Sequence, residues 1–138
     1  MTHQPLDHFK QTTEGDTYAG DHLLIEFWGA KRLDNIDVLR DALESSAAAA
    51  GATLLHSHYH CFGNAGGISG VSLLAESHIT IHTWPERGFA AIDIFMCGNC
   101  DPSDCLPTLI HVFDPEEVQT RIFHRGDSNI SGHIQKVA

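Results

Sequence analysis

Short runs of alternating apolar and polar residues recur along this chain, a pattern typical of half-buried β-strands. In His22–Trp28, the side chains of Leu23, Ile25 and Phe27 fall on one face, and Gly29 ends the run. Similar runs predict further strands at Ala52–Cys61, Val71–Ala75, Ile79–Thr83, Phe89–Met96 and Val118–His124.

Two other segments repeat apolar residues at helical spacing. The first helix should begin after Asp34 or Asn35, either of which can cap it, and end near Ala50. Gly51 follows, and glycine readily adopts the left-handed conformation that stops a helix. The residues expected on its buried face are Ile36, Leu39, Leu43, Ala47 and Ala50.

The second helix should begin at Asp101-Pro102 or at Cys105 and end at Asp114-Pro115. Pro107 falls in its first turn, where the missing N–H leaves no intrahelical hydrogen bond unmade. The residues expected to be buried are Leu106, Leu109, Ile110 and Phe113.

The predicted order of these elements is β-α-β-β-β-α-β, and the loops between neighbouring strands are short. We therefore predict an α+β two-layer sandwich, with a mostly antiparallel sheet and two helices on one face. The other face would need cover, or a partner subunit. The 138 residues suit one domain, 1–138, in which the polar, aperiodic residues 1–20 form a flexible arm.

Composition narrows the class of protein. The net charge is −10, from 18 acidic and 8 basic residues, which argues against a nucleic-acid partner. No apolar run approaches the ~20 residues of a membrane helix, and the N-terminus lacks the apolar segment of a secretory signal. We expect a cytoplasmic protein, whose cysteines are thiols or ligands rather than disulfides.

Two sets of residues have the spacing of metal ligands. His56, His58 and His60 alternate on one predicted strand and share a face, and three histidines can bind zinc. Cys97, Cys100 and Cys105 resemble part of a zinc or iron–sulfur set, but a second Cys-x2-Cys pair is missing. We expect no metal at either set, with Cys100 and Cys105 as small apolar residues that need no function, and we keep a non-enzymatic metal-binding domain as an alternative.

The pair Glu76–Ser77 lies between two predicted strands, with His82 five residues and Cys97 twenty residues after the serine. A hydroxyl, an imidazole and a thiol are the groups of a nucleophilic or proton-transfer site. Ser77 does not lie in the G-x-S-x-G elbow of a conventional serine hydrolase. The sequence therefore indicates a different use of serine.

The stretch from Gly66 to Gly98, GGISGVSLLAESHITIHTWPERGFAAIDIFMCG, resembles the core of the small bacterial and archaeal S-adenosylmethionine decarboxylases. The resemblance also covers the strand HLLIEFWG and the ending HRG, so it extends from about Asp21 to Gly126. These enzymes are made as proenzymes. The resemblance implies self-cleavage between Glu76 and Ser77 by an acyl shift, giving chains 1–76 and 77–138 and a covalent pyruvoyl group from Ser77.

The same resemblance implies roles for other residues. Ser69 and His82 would serve the self-cleavage, and Cys97 would reprotonate the product after decarboxylation through a Schiff base. Glu86 would hold the ribose hydroxyls of S-adenosylmethionine, and Phe62 is a candidate for stacking on the adenine. The product would be the aminopropyl donor for spermidine synthesis, and the enzyme would be a homodimer of cleaved protomers with residues of both subunits near each site.

One segment departs from the family pattern. Relatives often carry Phe-x-Pro-x-Gly before Ser69, whereas this chain has Phe62-Gly63-Asn64-Ala65 without the proline. That region shapes the substrate pocket. Pyruvoyl chemistry on arginine or ornithine is therefore the alternative within the same fold, and activation by a polyamine such as putrescine stays open.

Overall fold

The computed structural model describes residues 7–63, 66–127, 135 and 137. Within them, the chain begins with a short hairpin formed by β1 (Lys10–Gln11) and β2 (Thr17–Tyr18). The helices are α1 (Ile36–Ala49) and α2 (Leu106–Phe113). The longer strands are β3 (Gly20–Trp28), β4 (Leu54–Phe62), β5 (Gly67–Leu74), β6 (Ser77–Trp84), β7 (Phe89–Met96) and β8 (Glu117–Arg125).

The longer strands form one sheet in the order β4-β5-β6-β7-β3-β8, and every neighbouring pair is antiparallel. Both helices pack on one face of this sheet, where one apolar cluster forms the core. The predicted α+β sandwich is confirmed. The predicted order β-α-β-β-β-α-β omits one strand: four lie between the helices, and each of the four corresponds to a predicted run.

Helix α1 begins and ends where the sequence predicts. The Asn35 side chain accepts a hydrogen bond from the Val38 N–H at 3.2 Å, and Gly51 follows the helix with a φ of +73°. Leu39 and Leu43 are fully buried against the sheet. Burying a leucine side chain contributes about 1.5–3 kcal/mol, so this face holds the helix in place.

Helix α2 differs from the prediction at one position. Leu109 and Phe113 are fully buried, whereas Ile110 is 38% exposed. Residues four apart share a face of a helix, and the neighbour of Leu109 is rotated away from it by about 100°. The helix follows a turn of 3-10 helix, in which the Cys105 thiol is buried and donates to the Ser46 carbonyl at 3.3 Å.

The N-terminal residues are more structured than the predicted flexible arm. In the hairpin, Tyr18 is buried and its ring stacks on His124, with 4.1 Å between ring centroids. Lys10 lies 3.4 Å from the carboxylate of Asp21. Because residues 1–20 are mostly polar, the sequence gives little sign that Tyr18 anchors them to the sheet. Residues 1–6 lie outside the described part of the chain.

Strand β5 begins earlier than the predicted Val71. It starts at Gly67, so Ser69 lies within a strand and not in a loop. A Cβ atom on Gly70 would lie 2.4 Å from the Tyr59 ring, so the strand needs glycine there to let the tyrosine pack. Residues 64 and 65, in the segment that departs from the family pattern, lie outside the described residues.

The face of the sheet opposite the helices, here called the outer face, is not covered by any of the described residues of the chain. It carries exposed aromatic side chains, including Trp28, Phe62 and Trp84, which are 39%, 54% and 41% exposed. His56, His58 and His60 are also exposed on it. None of the described helices is both long enough and apolar enough to span a bilayer.

Candidate active site

The residues predicted to form the site fall into two groups at opposite ends of β6. Ser77 is the first residue of this strand and His82 is the sixth. Since a strand rises about 3.3 Å per residue, the two lie roughly 16 Å apart. The structure therefore does not bring His82 to Ser77 within one chain.

The first group, here called the serine cluster, consists of Glu76, Ser77 and Cys97. Ala75 and Glu76 form the tight turn between β5 and β6. Cys97 directly follows β7, whose last residue, Met96, pairs with Ser77. The turn and the adjoining strand end thus place the thiol beside the peptide bond that precedes the serine.

The carbonyl oxygen of Glu76 accepts two hydrogen bonds from Cys97. The backbone N–H donates at 3.1 Å and the Sγ–H donates at 3.0 Å. Two donors aimed at one carbonyl polarise it and stabilise negative charge on its oxygen, as in an oxyanion hole. This carbonyl is the one that the Ser77 hydroxyl would attack.

The backbone at Ser77 is strained. Its φ is 150°, in a region that favours glycine, and such conformations cost about 1–3 kcal/mol. The turn is held in place by Thr53, whose N–H donates to the Glu76 carboxylate at 2.9 Å and whose carbonyl accepts from the Ala75 N–H at 2.9 Å. The surrounding contacts therefore maintain strain at the predicted cleavage point.

The second group, here called the histidine cluster, consists of Phe62, Ser69, His82 and Glu86. Ser69 on β5 pairs with His82 on β6, and a hydrogen bond of 2.7 Å joins the serine Oγ to the histidine Nδ1. The buried Thr83 hydroxyl fixes this end of the two strands, because it donates to the Leu33 carbonyl at 2.8 Å and accepts from the Ile68 N–H at 2.9 Å.

All four members of the histidine cluster line one cavity of about 350 Å³ on the outer face. Glu86 reaches it from the turn of 3-10 helix at Pro85–Arg87, which follows β6 directly. The cavity thus combines a carboxylate, an imidazole, a hydroxyl and an aromatic ring. Such a lining suits a ligand with both hydroxyl groups and a flat ring.

Trp84 also lines this cavity, although it was not among the predicted site residues. Its ring contacts Phe89, with 5.3 Å between centroids, and its side chain is 41% exposed. The signal was present in the sequence, because Trp84 follows His82 by two residues and so shares its face of the strand. It is a second aromatic candidate for stacking, beside Phe62.

Two of the other three cysteines are placed for packing. Cys100 and Cys105 are buried. Burial raises the pKa of the Cys105 thiol to about 12, and burial, followed by the charge of Glu76, raises the pKa of Cys100. Thiols with raised pKa values stay protonated near neutral pH, which makes them poor nucleophiles and metal ligands.

Comparison with solved structures shows the class of fold. The crystal structure of the adenosylmethionine decarboxylase from Aquifex aeolicus matches with a TM-score of 0.73 and 32% sequence identity, over 85% of this chain and 98% of that one. The fold is therefore that of a known group of decarboxylases.

Sequence comparison identifies the family. The family model described as S-adenosylmethionine decarboxylase matches residues 21–126. The S-adenosylmethionine decarboxylase proenzyme of Thermomicrobium roseum is 36% identical over 108 residues, which are 78% of this chain and 93% of the relative. That of Methanococcus vannielii is 40% identical over 110 residues, 78% of this chain and 89% of the relative. The chain belongs to the S-adenosylmethionine decarboxylase family, and the resemblance noted in the sequence is confirmed.

Proposed function

We propose that this chain is a self-processing, pyruvoyl-dependent decarboxylase of S-adenosylmethionine. Relatives named S-adenosylmethionine decarboxylase proenzymes support both the substrate and the synthesis as a precursor. The observation that carries the proposal is the Glu76 carbonyl, which directly precedes Ser77 and accepts hydrogen bonds from both the N–H and the thiol of Cys97.

Self-cleavage begins when the Ser77 hydroxyl adds to the Glu76 carbonyl carbon, and the Cys97 donors stabilise the oxyanion. The peptide C–N bond then breaks, which leaves an ester and a free amine on residue 77 and relieves the backbone strain there. Loss of the α-proton of residue 77 then breaks the ester bond at the serine oxygen, which releases the main chain of Glu76 as a new C-terminal carboxylate. Water then replaces the nitrogen of the resulting dehydroalanine and releases ammonia, so the products are 1–76 and 77–138.

The serine cluster fits a pyruvoyl group at residue 77, since the chain supplies the serine, the activated carbonyl and the neighbouring thiol. When present, such a group supplies an electrophilic carbonyl that takes up the electrons left by departing CO2. The Cys97 thiol lies 3.0 Å from the Glu76 oxygen, beside this position. A thiol so placed can return a proton to the product carbon, as general acids do.

The histidine cluster completes the site only from a second chain. Within one protomer, roughly 16 Å of strand separates Ser77 from His82. The uncovered outer face, with Trp28 and Trp84 exposed, offers a surface for a second sheet. A two-fold dimer that packs outer face on outer face would bring each histidine cluster to the partner's serine cluster and form two complete sites.

The cavity chemistry favours S-adenosylmethionine over a basic amino acid. Glu86 can accept hydrogen bonds from two ribose hydroxyls, and Phe62 or Trp84 can stack on the adenine. A ring near the sulfonium adds cation–π attraction. A carboxylate would also bind a guanidinium or ammonium group, so arginine and ornithine are the compounds to compare.

The test is an intact-mass measurement of the denatured protein, followed by CO2 release from carboxyl-labelled S-adenosylmethionine, arginine and ornithine. We expect two fragments divided at Glu76–Ser77, the second with a pyruvoyl end, and CO2 from S-adenosylmethionine alone. Ser77→Ala should remain one inactive chain of 15.1 kDa. Normal cleavage of that variant would reject the site, and release from arginine or ornithine would reject the substrate.

A further inference from the structure

Three side chains from neighbouring strands converge on the outer face, outside both clusters of the proposed site. They are His78 on β6, Asp93 on β7 and His22 on β3. Their potential ligand atoms all lie within 4.8 Å of one another. Asp93 Oδ2 is 2.7 Å from His22 Nε2 and 3.5 Å from His78 Nε2.

The surroundings of Asp93 orient it towards the two histidines. Its other oxygen, Oδ1, accepts a hydrogen bond from the Thr80 hydroxyl, which leaves Oδ2 facing the imidazoles. The side chains of His22, His78 and Asp93 are only 18%, 36% and 28% exposed. Carboxylate ligands of metals are commonly fixed by such an outer hydrogen bond.

We propose that His22, His78 and Asp93 form a binding site for a divalent transition-metal ion, with Zn²⁺ the best match. Two imidazole nitrogens and one carboxylate oxygen are ligands that zinc prefers, and a fourth position stays open to water. Ligands of a tetrahedral zinc ion lie roughly 3.3 Å apart. The separations of 2.7 and 3.5 Å to Asp93 bracket that value, so small side-chain shifts admit the ion.

Arg125 is the group that competes with the ion. Its Nη1 lies 3.1 Å from His22 Nδ1, and a guanidinium can only donate. In that arrangement Nδ1 accepts, so the histidine proton is on Nε2, the atom that must bind the metal. Arg125 is exposed at the end of β8, and it has to swing away when the ion binds.

The ion would join three strands and hold His78, the residue directly after Ser77. A second cavity of about 200 Å³ on the outer face is lined by Asp93 and Thr80 among others, which leaves space beside the Asp93 carboxylate. The proposed cut makes residue 77 the free end of a strand. A metal bound to the next residue would keep that end in register with β7. The site itself is complete within one chain and does not depend on the proposed dimer.

The experiment uses the untagged full chain, stripped with a chelator, dialysed, and titrated with ZnSO4 by calorimetry at neutral pH. We expect one ion per chain. His78→Asn and Asp93→Asn should each weaken binding at least about tenfold, since even outer-shell changes cost about 10–100-fold in affinity. Arg125→Gln should tighten it. His56→Asn is the matched control, because His56 is an exposed histidine of the same face, and it should bind zinc as the parent does.

Cobalt substitution gives a second readout that does not depend on affinity. Co²⁺ in a tetrahedral site of nitrogen and oxygen ligands has visible absorption, which should disappear in His78→Asn, while circular dichroism confirms that the apo-variant is folded. The absence of zinc uptake, equal loss of affinity in His56→Asn, or a thiolate charge-transfer band with Co²⁺ would each overturn the proposal. A thiolate charge-transfer band would show that cysteines, and not His22, His78 and Asp93, are the metal ligands.

Discussion

The shared active site makes a sharp prediction for mixtures of two inactive variants. Ser77→Ala removes the nucleophile from the serine cluster, and His82→Ala removes the imidazole from the histidine cluster. The two residues lie at opposite ends of β6, roughly 16 Å apart, whereas a hydrogen bond reaches only about 3 Å. Each variant alone should be inactive for a different reason.

In a dimer of one Ser77→Ala chain and one His82→Ala chain, one of the two sites combines an intact serine cluster with an intact histidine cluster. The other site carries both lesions. Random pairing makes half of the dimers mixed, so co-production should restore about one quarter of the parent activity per chain. A site contained within one chain would give no activity, because every chain carries a lesion.

The assay is CO2 release after co-expression with two different affinity tags, with mixed dimers isolated through both tags. The matched control puts both substitutions in one chain and pairs it with the parent chain. In the isolated mixed dimers, shared sites then leave no activity, because each site carries one lesion, whereas separate sites leave about one half. Isolated dimers of one Ser77→Ala chain and one His82→Ala chain without activity would refute the shared-site argument.

Three narrower predictions concern single contacts. Cys97→Ala removes one of the two hydrogen-bond donors to the Glu76 carbonyl. Self-cleavage, followed on a gel time course, should slow, and decarboxylase turnover should be lost. Full turnover would show that Cys97 takes no part in the reaction. Glu86→Gln should raise the KM for S-adenosylmethionine about tenfold or more, because hydrogen bonds to a charged group are worth ~1.5–3 kcal/mol; a drop in kcat at constant KM would contradict the binding role. Gly70→Ala places a Cβ 2.4 Å from the Tyr59 ring. It should lower the free energy of unfolding, measured by urea denaturation, by about 1–3 kcal/mol. An unchanged urea midpoint would show that β4 shifts to accommodate the Cβ atom without loss of stability.

Local sequence patterns were sufficient to predict both helices, the six longer strands and the fold class. Strand β7 has the predicted bounds, Phe89–Met96, and α1 has its cap at one of the two proposed residues, Asn35. Both segments have clear stop signals, which are Gly88 and Gly98 around β7 and Gly51 after α1. The hairpin at residues 10–18 was missed because two-residue strands are too short to show any period.

The division of the site into two clusters was harder to foresee. The predicted strand began at Ile79, which left Ser77 in a junction where the chain could fold back towards His82. In the structure β6 extends to Ser77, and the continuous strand keeps the two apart. The metal-site proposal had no sequence signal at all, because His22 and Asp93 are 71 residues apart and meet only through the insertion of β3 beside β7.

The position of β3 also governs how the enzyme can be made. The proposed cut leaves β3, β4 and β5 on one product and β6, β7 and β8 on the other, yet β3 lies between β7 and β8. The precursor folds as a first-order reaction, whereas the separated products could regain the sheet only by a second-order encounter, so their recovery depends on concentration. Folding must therefore precede cutting, and denaturation of the mature enzyme should be far less reversible than that of the uncut Ser77→Ala chain.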